Sequence, residues 1–159
     1  GVLGTSGTVA SNTFPKEIGK LSKTTTNAGQ EIKVFQNSAP MLVPLIEEGE
    51  RALAIEFIKK YLKPILNKKV DALVLGCTHY PIYKKEIRKI VGKNISVISQ
   101  DEIIPKKLKN YLKRHEEISK KLSLKKSAKI LVTDITPTIK KLSEKWFGDS
   151  PLHLVKSLI

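Results

Sequence analysis

Short apolar runs alternate with helix-period stripes along the whole chain, and this alternation narrows the possible folds more than any other feature. Ala72–Gly76 is a near-continuous apolar run, as expected of a strand buried on both faces of a sheet. Before it, Leu53, Phe57, Ile58, Tyr61, Leu62, Ile65 and Leu66 follow the 3.6-residue period and predict one amphipathic helix. Pro64 lies inside that stripe and is expected to kink the helix or start a new one. Strands separated by helices predict βαβ units and a parallel sheet, hence an α/β fold. Such sheets gather ligand sites at the carboxyl ends of their strands.

The remaining elements read more coarsely. Val2–Leu3 is a strand stub, Ser11–Leu21 a helix, Ser22–Gln30 a polar loop and Ile32–Gln36 a short strand. Pro40–Ile46 is apolar and interrupted by Pro44, with acidic Glu47–Glu50 behind it. Pro81–Val91 reads as a helix with Ile82, Ile87 and Ile90 on its apolar side, and Ile95–Ile98 as a strand. Asp101 is placed to cap a helix with the stripe Ile104, Leu108, Tyr111 and Leu112. Lys129–Val132 is a strand. Thr136 is placed to cap a helix with Pro137 at its first position, Ile139, Leu142 and Trp146 on its stripe and Gly148 at its end. Leu152–Val155 closes the chain as a strand. Lysine rises and glycine thins after about Gln100, and a domain boundary is expected there, dividing 1–99 from 100–159.

A chain of 159 residues with 40% hydrophobic and 28% charged side chains has enough apolar material for a packed core. Its longest apolar runs, such as Met41–Ile46 and Ala72–Cys77, are too short to span a bilayer. A single cysteine excludes an internal disulfide framework and a multi-cysteine zinc site, and a cytoplasmic protein fits best. The net charge of +14 invites nucleic acid or an anionic membrane, yet three of the 29 basic residues are arginines and the other 26 are lysines. Lysine makes poor bidentate contacts with bases and phosphates. Doublets such as Lys59–Lys60, Lys84–Lys85 and Lys140–Lys141 read as solvated helix faces, so neither specific nucleic acid nor membrane is expected as a partner. The chain opens at Gly1 directly on a strand, with no initiator methionine, and a processed or truncated chain is expected.

Three segments have the residues for chemistry. Gly1–Thr8 places Thr5 and Thr8 three apart at a strand end, where backbone N–H groups attract anions. The same residues also suit an ordinary βα turn in which Thr and Ser cap the helix. Gly76-Cys77-Thr78-His79-Tyr80-Pro81 follows the buried strand and precedes a helix. Unpaired N–H groups and the helix dipole there favour a thiolate, and His79 is placed to exchange a proton with Cys77 or its substrate. A buried, inert thiol is the competing reading. Glu47 is a general acid, a carboxylate that orients a histidine, or part of an exposed acidic turn. His115 and His153 read as surface or packing residues and Trp146 as core.

The blocks Leu3–Thr8 (Leu-Gly-Thr-Ser-Gly-Thr), Ala39–Glu47 (Ala-Pro-Met-Leu-Val-Pro-Leu-Ile-Glu) and Leu75–Pro81 (Leu-Gly-Cys-Thr-His-Tyr-Pro) come in an order and at spacings that resemble glutamate racemase. Leu131–Asp134, followed by a helix and a strand, is similar to the end of that family. The resemblance covers essentially the whole chain. It implies a cofactor-independent, metal-free racemase of two similar α/β domains, with two cysteines facing opposite sides of the substrate Cα. It matches Cys77 to the second cysteine, His79 to its assisting histidine and Glu47 to a glutamate of the same site. Thr5, Thr8 and Thr78 match positions that hold the substrate carboxylate or amine.

The family's Asp-Ser-Gly turn and first cysteine have no counterpart here. Ser99 and Gln100 stand where the family usually has Asp-Ser, and Ala39 stands where many members have Cys. The chain therefore resembles the second part of a racemase. Residues 1–99 are expected to form the domain carrying Cys77. Residues 100–159 are expected to complete the other domain, whose N-terminal body is absent.

The implied activity is interconversion of L- and D-glutamate, supplying D-glutamate for peptidoglycan and cell-wall biogenesis, with this chain alone inactive. The implied partners are glutamate and either the missing half or another copy of the chain, in a homodimer. The alternatives are an aspartate or other amino-acid racemase of the same superfamily, against which His79 argues, and a non-enzymatic lysine-rich binding fragment.

Overall fold

The structure, a computed structural model, describes residues 1–25, 32–123, 129–148 and 150–155. It separates into two compact units, Gly1–Lys109 and Asn110–Ile159. The first unit holds strands β1 (Val2–Gly4), β2 (Gln36–Ser38), β3 (Ala72–Gly76) and β4 (Ser96–Ile98). They form one sheet in the order β2-β1-β3-β4, with every neighbouring pair parallel. The two inner strands bury Val2, Leu3, Leu73 and Leu75, as a central parallel strand covered on both faces requires. The edge strands are more polar: β2 is Gln-Asn-Ser, and β4 buries Val97 alone.

The helices that cover this sheet begin and end for local reasons. Two helices, α1 (Ser6–Ser11) and α2 (Thr13–Thr25), stand where one was expected over Ser11–Leu21. Asn12 between them is left-handed, at φ 53°, a conformation that Asn tolerates better than most residues. The polar stretch read as loop from Ser22 is helical as far as Thr25, and its residues 26–30 lie outside the described ones. The apolar Pro40–Ile46 run is α3 (Leu42–Glu48). Pro44 sits in its first turn, where an amide hydrogen is not needed, and Gly49 closes it at φ 83°.

α4 (Arg51–Leu66) runs unbroken through Pro64, because the proline lies in its last turn and costs a single hydrogen bond. Its buried residues are Ala54, Ile58, Leu62 and Ile65, while Leu53 is 48% exposed. Ile58, Leu62 and Ile65 are buried as the stripe predicts, while at its start the small Ala54 is buried in place of Leu53.

The expected helix from Pro81 begins as a tight 3-10 turn, Tyr80–Tyr83, followed by α5 (Lys84–Val91). The strand expected at Ile32–Gln36 instead occupies Gln36–Ser38. β1 starts at Val2, opposite Gln36, and the pairing begins where the Val2 amide donates to the Phe35 carbonyl at 2.8 Å. Asp101 does not cap its helix. α6 (Gln100–Arg114) begins earlier, and the Ser99 carbonyl accepts from the amides of Glu102 and Ile103 at 3.3 and 3.4 Å. Asp101 instead accepts from Lys84 and from the Ser99 hydroxyl. The hydrogen bond from Lys84 is the main cause holding the Asp101 and Glu102 carboxyls below their ordinary range. Ile104, Leu108 and Tyr111, expected as an apolar stripe, are exposed.

The second unit contains α7 (Glu116–Ser119), β5 (Ile130–Val132), α8 (Pro137–Phe147) and β6 (Leu152–Leu154), with β5 and β6 parallel. The Thr136 hydroxyl accepts from the Ile139 amide at 3.1 Å, Pro137 opens α8 and Gly148 ends it, as the sequence predicts. Trp146 is half-buried rather than core, and Ser143 is the residue of α8 that is buried. Among the described residues this unit has no fully buried apolar side chain. No helix of the described residues is long and apolar enough to cross a membrane.

The start of the α4 stripe yields a direct test. Ile58 is 0% exposed, so Ile58→Ala should cost about 2–5 kcal/mol. Leu53→Ala should change stability by no more than about 0.5 kcal/mol. Urea denaturation midpoints of the two variants check the difference, and equal losses would put Leu53 back in the buried stripe.

Candidate active site

β1 and β3 run side by side and end together, with Gly4 paired to Gly76. The segments that follow them leave the sheet at its carboxyl edge as neighbours. A Cβ at Gly76 would lie 3.2 Å from the Leu3 carbonyl oxygen and 3.2 Å from the Phe14 ring, closer than almost any side-chain carbon is found. Glycine there lets the two strand ends close up.

Thr5 caps α1 by accepting from the Thr8 amide at 3.2 Å. The two threonine hydroxyls lie 2.9 Å apart, and the Thr8 hydroxyl donates to the Gly76 carbonyl at 3.3 Å. A hydroxyl has one hydrogen. With the hydrogen of Thr8 directed at Gly76, Thr5 is the donor between the two hydroxyls. Thr8 thus ties the β1–α1 turn to the residue before Cys77, and Thr5 is the threonine whose hydrogen a ligand can redirect without breaking that tie. The capping reading of this segment is thus the observed one.

Cys77 is partly exposed, directly past the end of β3. Its sulfur lies 3.9 Å from His79 Nδ1. On the other side of the same ring, Nε2 lies 3.1 Å from Glu47 Oε1. The tight turn at Tyr80–Tyr83 folds His79 back over Cys77, and the last turn of α3 brings Glu47 to it. An ionised carboxylate only accepts, so the neutral imidazole that faces Glu47 carries its hydrogen on Nε2 and presents the Nδ1 lone pair to the thiol. Glu47, His79 and Cys77 therefore form a line along which the thiol can lose or regain a proton.

Thr78 is exposed, with its hydroxyl 3.5 Å from the same Nδ1. His115 and His153 belong to the other unit. His115 lies 3.0 Å from Glu117 at the surface. His153 is half-buried, and its Nε2 has no hydrogen-bond partner among the described residues. No three His, Cys, Asp or Glu side chains among the described residues gather within reach of one metal ion.

Tyr80 is a participant that sequence reasoning missed. It is wholly buried, and its phenol donates to the Ala39 carbonyl at 3.3 Å. Burial is the main cause pushing this phenol well above its ordinary range, with Cys77 and Tyr61 adding to the shift. A tyrosine in a polar turn beside a proline has no periodicity to mark it as core, so local sequence offers no signal for it.

No family model matches the chain. The glutamate racemase of Persephonella marina is 36% identical to it over 160 residues, which cover 98% of this chain and 54% of that protein. The Aquifex pyrophilus glutamate racemase is 33% identical over 161 residues, 99% of this chain and 56% of that protein. Among solved structures, a glutamate racemase isoform from Bacillus anthracis superposes with a TM-score of 0.78 at 27% identity, over 99% of this chain and 56% of that one. A Francisella tularensis glutamate racemase, solved with D-glutamate, gives 0.76 at 29% identity, over 97% of this chain and 56% of that one. With its parallel α/β fold, this chain is a glutamate racemase homologue that spans about half the length of the curated relatives it matches.

Proposed function

We propose that this chain provides one of the two proton-transfer half-sites of a cofactor-independent glutamate racemase, which interconverts L- and D-glutamate and supplies the D-isomer for peptidoglycan in the cytoplasm. The observation that carries the reading is the Glu47–His79–Cys77 line at the carboxyl edge of the sheet. In one direction Cys77 first gives its thiol proton to His79 Nδ1, and Glu47 stabilises the imidazolium through Nε2. The thiolate then takes the α-proton, leaving the electron pair on Cα. A thiol on the opposite face, from the half not contained in this chain, returns a proton to Cα with inversion. In the other direction the second thiolate takes the α-proton and the Cys77 thiol is the donor. Thr5, Thr8 and Thr78 hold the substrate carboxylate or amine, Thr8 through the turn it fixes. Such a carbanion forms only where the surrounding dipoles stabilise it and water is kept out.

Residues 1–99 are the domain of Cys77, and residues 100–159 complete the second domain. The second unit supports this reading, because among its described residues a two-stranded sheet carries no fully buried apolar side chain, too little to be stable alone. The remaining part of the racemase covers its exposed Leu131, Phe147 and Leu154, and the complete enzyme works as a homodimer.

Three outcomes test the proposal. In the complete enzyme, Cys77→Ser should abolish turnover in both directions, since a hydroxyl is far too weak an acid to replace the thiol. Activity within about tenfold of the parent, about 1.4 kcal/mol in barrier, would remove Cys77 from the chemistry. His79→Asn should slow the direction in which Cys77 takes the proton more than the reverse. Equal kcat losses would assign His79 to structure or substrate binding. The 159-residue chain by itself, its mass verified, should turn over neither D- nor L-glutamate and should self-associate in solution. Stereoinversion at an ordinary enzymatic rate by a monomer of that mass would refute the half-site reading.

A further inference from the structure

We propose that Tyr80 is a positioning residue that holds the His79–Glu47 pair in register through its hydrogen bond to the Ala39 carbonyl. The claim rests on the racemase reading for its effect on rate, but its geometry stands on the fold alone. His79 and Glu47 come from different elements. His79 sits at the start of the tight turn after β3, and Glu47 sits at the end of α3. Their 3.1 Å contact therefore depends on how that turn is placed against α3.

Ala39 is the corner from which α3 departs. It is completely buried, its amide donates to the Gly4 carbonyl at 2.8 Å, and its carbonyl accepts from the Leu42 amide at 3.2 Å. That carbonyl has a second lone pair, and the Tyr80 phenol fills it. Tyr80 is bonded at its other end to the turn itself, since its amide donates to the Cys77 carbonyl at 3.3 Å. One side chain thus links the Cys77 segment to the start of α3 and, through the Gly4 carbonyl, to the end of β1. The phenol and the Ala39 carbonyl are both shielded from water, so a lost phenol leaves that carbonyl without a solvent substitute. Its burial also keeps the phenol neutral and able to donate across the working pH range.

The consequence for His79 is specific. When the turn drifts from α3, the Nε2 hydrogen loses its carboxylate acceptor, and the ring is free to move its hydrogen to Nδ1. That tautomer presents an N–H, not a lone pair, to Cys77, and the thiol loses its proton acceptor.

The experiment compares the parent chain with Tyr80→Phe, which keeps the ring and removes only the hydroxyl. Ring-nitrogen NMR of His79, assigned against His79→Asn, should show hydrogen on Nε2 in the parent and a mixture of both tautomers in Tyr80→Phe. In the complete enzyme the same variant should lower kcat about tenfold, the rate equivalent of one hydrogen bond. The kcat loss should be larger in the direction in which Cys77 takes the proton, with KM falling in the same proportion there, because an equilibrium constant of one keeps kcat/KM equal in the two directions.

An unchanged tautomer in a folded Tyr80→Phe chain would overturn the proposal and leave Tyr80 a packing residue. A parent ring carrying its hydrogen on Nδ1 would overturn it too. The tautomer is read without turnover, so an inactive complete protein would sink the racemase reading while the positioning claim is still decided by the spectra.

Discussion

The parallel pairing of β1 with β3 is the contact on which the rest of the first unit depends. It sets Gly4 beside Gly76, and the segments beyond these two residues have to leave the sheet as neighbours. The close approach is possible because Gly76 has no side chain to meet the Leu3 carbonyl and the Phe14 ring. Thr8 then bridges the two exits by donating to the Gly76 carbonyl, and Ala39 joins them by donating to the Gly4 carbonyl. Three separate pieces of sequence arrive at one edge because two central strands are paired in one register. The register also sets which face each side chain of β1 takes, so the packing of Val2 and Leu3 and the placement of these segments are fixed together.

The chemistry of the edge follows from what each group can donate and accept. A carboxylate has no hydrogen, a neutral imidazole has one, and a thiol has one to give. Placed in the order Glu47, His79, Cys77, these groups leave a lone pair facing the sulfur. The order is set by main-chain turns: the tight turn after Cys77 folds the histidine back, and α3 ends at Gly49 soon after its carboxylate has reached the ring. Around these turns the Ala39 amide donates to the Gly4 carbonyl, the Tyr80 amide to the Cys77 carbonyl and the Tyr80 phenol to the Ala39 carbonyl.

The second unit shows the opposite balance. Its α8 is well capped, by Thr136 at one end and Gly148 at the other, yet its parallel strand pair has little to bury. Local rules are obeyed there although, among the described residues, the unit has no fully buried apolar side chain.

The sequence by itself determined the α/β class, the buried β3, the long helix before it and the caps of α8, because each rests on periodicity or on a neighbour a few residues away. It also marked Cys77, His79 and Glu47, through a motif at a strand end and an acid behind an apolar run. What it could not determine were quantities that need a second element. The α4 stripe starts at Ala54 because packing against its neighbours, not hydrophobicity alone, selects Ala54 over Leu53. β2 began at Gln36 because the ladder opens where the Val2 amide meets the Phe35 carbonyl. Asp101 became an acceptor for Lys84 because α5 lies beside the start of α6. Tyr80 was hidden for the same reason: its partner, the carbonyl of Ala39, is 41 residues away in the chain. Only the folded sheet edge brings that carbonyl within reach of the phenol.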